Sequence, residues 1–68
     1  MAHDIQAALD NNDIERAREL VQTALQDNPD ADTYYYAALV ADNADDKADY
    51  LRQALVQDPV HADAQREL

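Results

Sequence analysis

The sequence predicts an all-α fold in which a helix–turn–helix unit occurs twice and a short C-terminal helix caps the second. Three observations carry that prediction. The 68 residues include 14 alanines, no glycine, two prolines and only six valines and isoleucines, so helices are favoured and strands and hairpin turns have little support. Apolar residues recur at spacings of three and four, the period of a helix with one buried face. Two segments also match at an offset of 30 residues: Ala24-Leu25 with Ala54-Leu55, and Pro29 with Pro59. A fixed period of that size points to a helical repeat array.

Each element can be justified in turn. Ile5, Ala8 and Leu9 stand at i, i+3 and i+4 on a first helix of about residues 3–11. "DNND" (Asp10–Asp13) interrupts it, and Asn12 is the expected cap of the next helix, with Glu15 three residues on as its capping-box partner. That second helix carries Ile14, Ala17, Leu20, Val21, Ala24 and Leu25 and ends near Asp27-Asn28, because Pro29 disfavours a helical residue before it. A third helix of about residues 31–41 holds "TYYYAALV", and "ADNADD" (Ala41–Asp46) makes the next turn. Asn43 is placed to cap a fourth helix from Ala44 to Gln57, with Asp45 and Asp46 in its first turn, where the helix dipole favours negative charge. Pro59 stops it, and "HADAQREL" (His61–Leu68) begins a fifth helix whose Ala64 and Leu68 cover the end of the stack. The offset of 30 also aligns Ile14, Val21, Ala24 and Leu25 with Ala44, Leu51, Ala54 and Leu55. Residues 1–68 thus read as one domain, with a first unit of about residues 3–29, a second of about 30–59 and the capping helix from 61 to 68.

Composition restricts function. The chain has no cysteine, serine or glycine. Disulfides, thiolate metal sites, glycine-rich phosphate loops and the usual activated nucleophiles are therefore absent, and an enzyme is not expected. Fifteen acidic residues against five basic ones give a net charge of −10, which disfavours nucleic acid and anionic membrane surfaces. "MAHDIQAALD" has neither the basic start nor the apolar centre of a signal peptide. The expected location is cytoplasmic, with Met1 a natural start.

The residues that close each second helix resemble the tetratricopeptide repeat, the helix–turn–helix unit of α-solenoids. Ala17, Val21, Ala24, Leu25 and Pro29, and again Leu51, Ala54, Leu55, Asp58 and Pro59, follow the family's spacing of small and large apolar residues before an Asp-Pro-like exit. Tyr34 and Ala38 take the aromatic and small positions of its first helix. Lys47 departs from the pattern, standing where the family has a small buried residue, and the second inter-helix turn is about two residues short. The aromatic-x-aromatic form Tyr34/Tyr36 and this shorter unit are closer to compact repeats of bacterial proteins. The resemblance implies an α-α superhelix of two such repeats that binds a protein or peptide segment on the groove lined by the first helices. It does not extend to a clamp for a peptide's C-terminal carboxylate: Arg16, Arg18, Lys47, Arg52 and Arg66 all lie on second helices or the terminal one.

If first helices line the groove, its rim is Asp4, Asp10, Asp32 and Asp42 with no basic residue, which suits a basic or neutral apolar peptide. The other reading makes these carboxylates helix-end and solubility charges. The candidate peptide-binding residues are Gln6, Asp10, Asp32, Tyr35, Leu39 and Asp42. Successive helical side chains turn by about 100°, so three adjacent tyrosines cannot share a face. Tyr34 and Tyr36 are expected to pack against flanking helices, Tyr35 to fall towards the groove, and Tyr50 to be partly exposed.

No cofactor or metal is expected. His3 with Asp4, and His61 with Asp63, offer two donors each where a transition metal needs three or four, so exposed or capping histidines are the alternative. "DNNDIE" and "DNADDKAD" lack the alternating oxygen ligands, the glycine and the final glutamate of a calcium loop. Finally, repeats of this kind need about three units for stability. Two units therefore imply a longer array or self-association as a homodimer, the runner-up to peptide binding.

Overall fold

The structure is a computed structural model and describes residues 2–67. These residues form five helices and no strand: α1 (Ala2–Asp10), α2 (Ile14–Leu25), α3 (Ala31–Leu39), α4 (Ala44–Gln57) and α5 (Ala62–Glu67). The all-α prediction is met, and α2 and α4 start 30 residues apart. Each helix packs on the next in sequence, and α1 also touches α3. None of the helices is long and apolar enough to cross a membrane. Leu68, expected to help cover the end of the stack, lies outside the described residues, as does the side chain of His3.

The turn between α1 and α2 corrects the expected cap. Asn12 is left-handed (φ 59°), the Asn12 N–H donates to the Leu9 carbonyl at 2.9 Å and the Asp13 N–H to the Ala8 carbonyl at 2.8 Å. This pair of bonds is a Schellman closure, with Asn12 filling the position that glycine usually takes. Asn12 therefore ends α1, and Asp13 caps α2 by accepting the Arg16 N–H at 3.2 Å. Glu15 then no longer falls three residues past the cap, so no capping box forms. Asn28 is the second left-handed residue (φ 54°) and turns the chain before Pro29.

Asp30 caps α3, a role not foreseen from the sequence. Its Oδ1 accepts both the backbone N–H and the hydroxyl of Thr33, each at 2.9 Å, which satisfies the one buried polar side chain among the described residues. Those two bonds, the backbone one foremost, hold the Asp30 carboxyl below the usual carboxylate range. A depressed native pKa stabilises the fold above the unfolded value of about 3.9 and loses that contribution as pH falls through the native one. Asp30→Ala is expected to cost about 1 kcal/mol at neutral pH and to flatten the acid limb of a urea-midpoint-versus-pH profile. An acid limb unchanged by the substitution would refute the assignment.

α3 ends at Leu39, two residues before the expected boundary, and the Arg18 Nε–H from α2 donates to the freed Val40 carbonyl at 3.0 Å. α4 begins and ends where expected, with Asn43 accepting the Asp46 N–H at 2.8 Å. Lys47, the departure from the repeat pattern, is half-buried and pairs with Glu67 of α5 at 3.4 Å.

Two clusters make the core. One gathers Ile5 and Ala8 of α1, Ala17, Val21 and Ala24 of α2, and Ala37 and Val40 from α3 and its cap. The other gathers Ala38, Leu51, Ala54 and Ala64 of α3, α4 and α5. Ala37 and Ala38 are neighbours that face opposite clusters, so α3 is the shared wall between the two clusters. Val21 and Leu51, and Ala24 and Ala54, are buried pairs at the repeat offset. Tyr50, half-buried, packs against both clusters.

Candidate functional site

A chain of polar and aromatic contacts runs across α1, α3 and α5. Gln6 and Asp10 stand one turn apart on α1, and the Gln6 Nε2–H donates to Asp10 Oδ1 at 2.9 Å. The Tyr36 hydroxyl donates to Gln6 Oε1 at 2.8 Å. Gln6 and Tyr36 are 30 residues apart, the offset of the sequence match, and this bond joins α1 to α3. The Tyr36 ring meets the Tyr35 ring at 5.8 Å with a 53° tilt, and Tyr35 meets His61 at 5.4 Å with a 40° tilt. His61 Nε2 lies 2.7 Å from Asp32 Oδ1.

The hydrogen bonds fix the proton on His61. Its Nδ1 accepts the Ala64 N–H at 3.2 Å, capping α5 from the side chain. An accepting Nδ1 carries no proton, so Nε2 carries it and donates to Asp32. The imidazole is only 10 % exposed, and both nitrogens are engaged. His61 is thus a capping histidine, one of the alternatives weighed from the sequence, and it also clasps α5 to α3.

Burial sets the electrostatics of the tyrosines. Burial first, then Asp63 and Glu67, push the Tyr35 phenol up, with Arg66 opposing. Burial first, then Asp32, Tyr35, Asp10 and Asp63, push Tyr36 up. A raised native pKa gives stability that is complete below the unfolded value of about 10 and is lost as pH rises through the native values. Tyr35 and Tyr36 are therefore expected to ionise late in an alkaline titration followed residue by residue by NMR, with stability declining above about pH 10. Ionisation of Tyr35 and Tyr36 at the ordinary phenol value in the folded protein would contradict this.

The six candidate residues separate. Gln6, Asp10, Asp32 and Tyr35 belong to the network. Leu39 is 40 % exposed near the end of α3 and has no part in it. Asp42 leaves the rim: the Arg18 guanidinium pairs with it at 2.7 Å, because a long side chain on a second helix reaches the end of α3. Arg18 and Asp42 instead line a small depression with Val21, Val40, Asp46 and Tyr50. Asp4 lies in another, between α1 and α2, shared with Arg16 and Leu20. Of the four rim carboxylates, only Asp10 and Asp32 adjoin the network of Tyr35 and Tyr36.

Tyr36 and His61 are the network residues that sequence reasoning did not assign to the groove. Tyr36 packs on the first core cluster and Tyr34 on the second, as expected of both. The hydroxyl of Tyr36 additionally reaches the shared face, and its offset of 30 from Gln6 was the available signal. Among the described residues no group of three or more metal-ligating side chains converges. Comparison with protein-family models, curated proteins and solved structures finds no match to this chain.

Proposed function

We propose that the chain is a tetratricopeptide-like interaction module whose α1, α3 and α5 face receives an extended segment of another protein. The observation that carries this reading is the Tyr36–Gln6 hydrogen bond at one repeat offset. Side-by-side first helices are the arrangement that creates a groove in a repeat stack, and here the face carries partly exposed tyrosines beside Asp10 and Asp32. The net charge of −10 favours a basic or neutral segment and disfavours nucleic acid and anionic lipid. The engagement of both His61 nitrogens supports binding rather than acid–base chemistry. A test is NMR titration of the full chain with basic, neutral and acidic peptide pools. Shifts concentrated on Gln6, Tyr35 and Tyr36 with the basic or neutral pools are expected. No response of this face to any pool would sink the proposal.

One observation favours a second reading, self-association. Val56 and Val60 are 78 % and 79 % exposed on either side of Pro59, and a symmetric contact would cover them. Light scattering across a dilution series decides: a monomer at every concentration removes this reading.

A further inference from the structure

We infer that the face of the Tyr36 ring is the seat of an arginine guanidinium carried by the bound segment. This rests on the reading of the α1–α3–α5 face as a peptide groove and adds the chemical group that it selects.

The ring is held in place before any ligand arrives. Its hydroxyl is tied to Gln6 at 2.8 Å and its ring packs against that of Tyr35 at 5.8 Å with a 53° tilt, so little side-chain freedom is left to lose on binding. Among the described residues, the charged groups that act on it are all acidic: Asp32, Tyr35, Asp10 and Asp63. The α5 cation, Arg66, is engaged by Asp63 at 3.7 Å and bears on Tyr35 instead. Asp10 and Asp32 each spend one oxygen internally, on Gln6 and His61 respectively. The other oxygen of each has no hydrogen-bond partner among the described residues, and the Asp32 side chain is 62 % exposed.

An aromatic face flanked by free carboxylate oxygens suits a flat cation with several divergent donors. Guanidinium stacks on the ring and keeps its N–H fork for the carboxylates, whereas an ammonium is a compact, strongly hydrated point charge. A neutral side chain of the same shape would leave the carboxylates without a counter-charge.

The test uses the full chain and three capped peptides of one length, carrying two arginines, two citrullines or two lysines. The arginine peptide is expected to shift the Tyr36 ring and Gln6 side-chain resonances, with the citrulline peptide at least about tenfold weaker and the lysine peptide intermediate. Tyr36→Phe keeps the ring face but loses the tie to Gln6 and is expected to weaken binding less than Tyr36→Leu, which weakens it about tenfold. Circular dichroism of both variants confirms that they are folded. Equal binding of citrulline and arginine peptides overturns the inference while leaving the groove intact. Arginine-dependent shifts spread over the carboxylates of α2 and α4 without Tyr36 overturn it as well. No shift with any peptide at millimolar concentration removes both the guanidinium seat and the groove.

Discussion

Leu51→Ala is expected to remove a large share of the protein's stability. Leu51 is 2 % exposed at the centre of the second cluster, and its buried neighbours there are the alanines Ala38, Ala54 and Ala64. Small neighbours cannot lean in to fill the space that the isobutyl group vacates. Removing a buried leucine costs about 2–5 kcal/mol, with the larger values where the site cannot collapse. A chain of this length has only about 3–10 kcal/mol of stability to lose. Urea titration followed by circular dichroism measures the effect, with Leu39→Ala as the control. Leu39 is on the neighbouring helix but 40 % exposed, so its replacement is expected to cost under about 1 kcal/mol. Similar midpoints for the two variants would show that the second cluster is not the core described above.

His61→Ala is expected to release α5 while leaving α1 to α4 folded. Six residues are too few for an independent helix, so α5 depends on its attachments. Three of them meet at His61: the side-chain cap on the Ala64 N–H, the bond to Asp32 and the ring contact with Tyr35. Alanine removes all three, at a combined cost of about 1–3 kcal/mol. The remaining ties include Ala64 in the second cluster, the exposed Gln65 Nε2–H donated to the Pro59 carbonyl and the Lys47–Glu67 pair, and an ion pair that is half exposed adds about 0–1 kcal/mol. Amide hydrogen exchange resolves the outcome by residue. Ala64, Gln65 and Arg66 should lose protection in His61→Ala, with α2 and α4 unchanged, and Asp32→Asn, which keeps an acceptor, should fall between. Undiminished protection in α5 would refute the clasp.

The parts of this fold that depend on neighbouring residues were legible in the sequence. Asn43 followed by Asp45 and Asp46 marks the start of α4, and Pro59 marks its end, since both act within one turn of helix. "DNND" was less legible because each of its four residues can cap a helix. The left-handed closure by Asn12 depends on where α1 stops, and only then does the capping role pass to Asp13. Arg18 and Asp42 are 24 residues apart, and no period announces that pair. Helical phase set the direction in which Tyr36 leaves its helix, and it does pack as that direction implied. Phase does not say where the far end of a long ring comes to rest, so the bond to Gln6 stayed hidden. His61 and Asp32 meet only because α5 folds back beside α3. A candidate site assembled from three helices is therefore read from sequence one helix at a time, and the links between helices are what is missed.

The order in which the helices pack has a kinetic consequence. α1 meets α2, α2 meets α3, α3 meets α4 and α4 meets α5, with α1 on α3 bridging the first two units. Contacts so close along the chain need only short loops to close, and low contact order goes with folding in microseconds to milliseconds. Each hairpin can begin independently and the boundary between them can then zip along α3, as in a one-dimensional array. Substitutions in α3, whose two faces serve both clusters, should therefore slow refolding, whereas loss of the α5 clasp should mainly hasten unfolding.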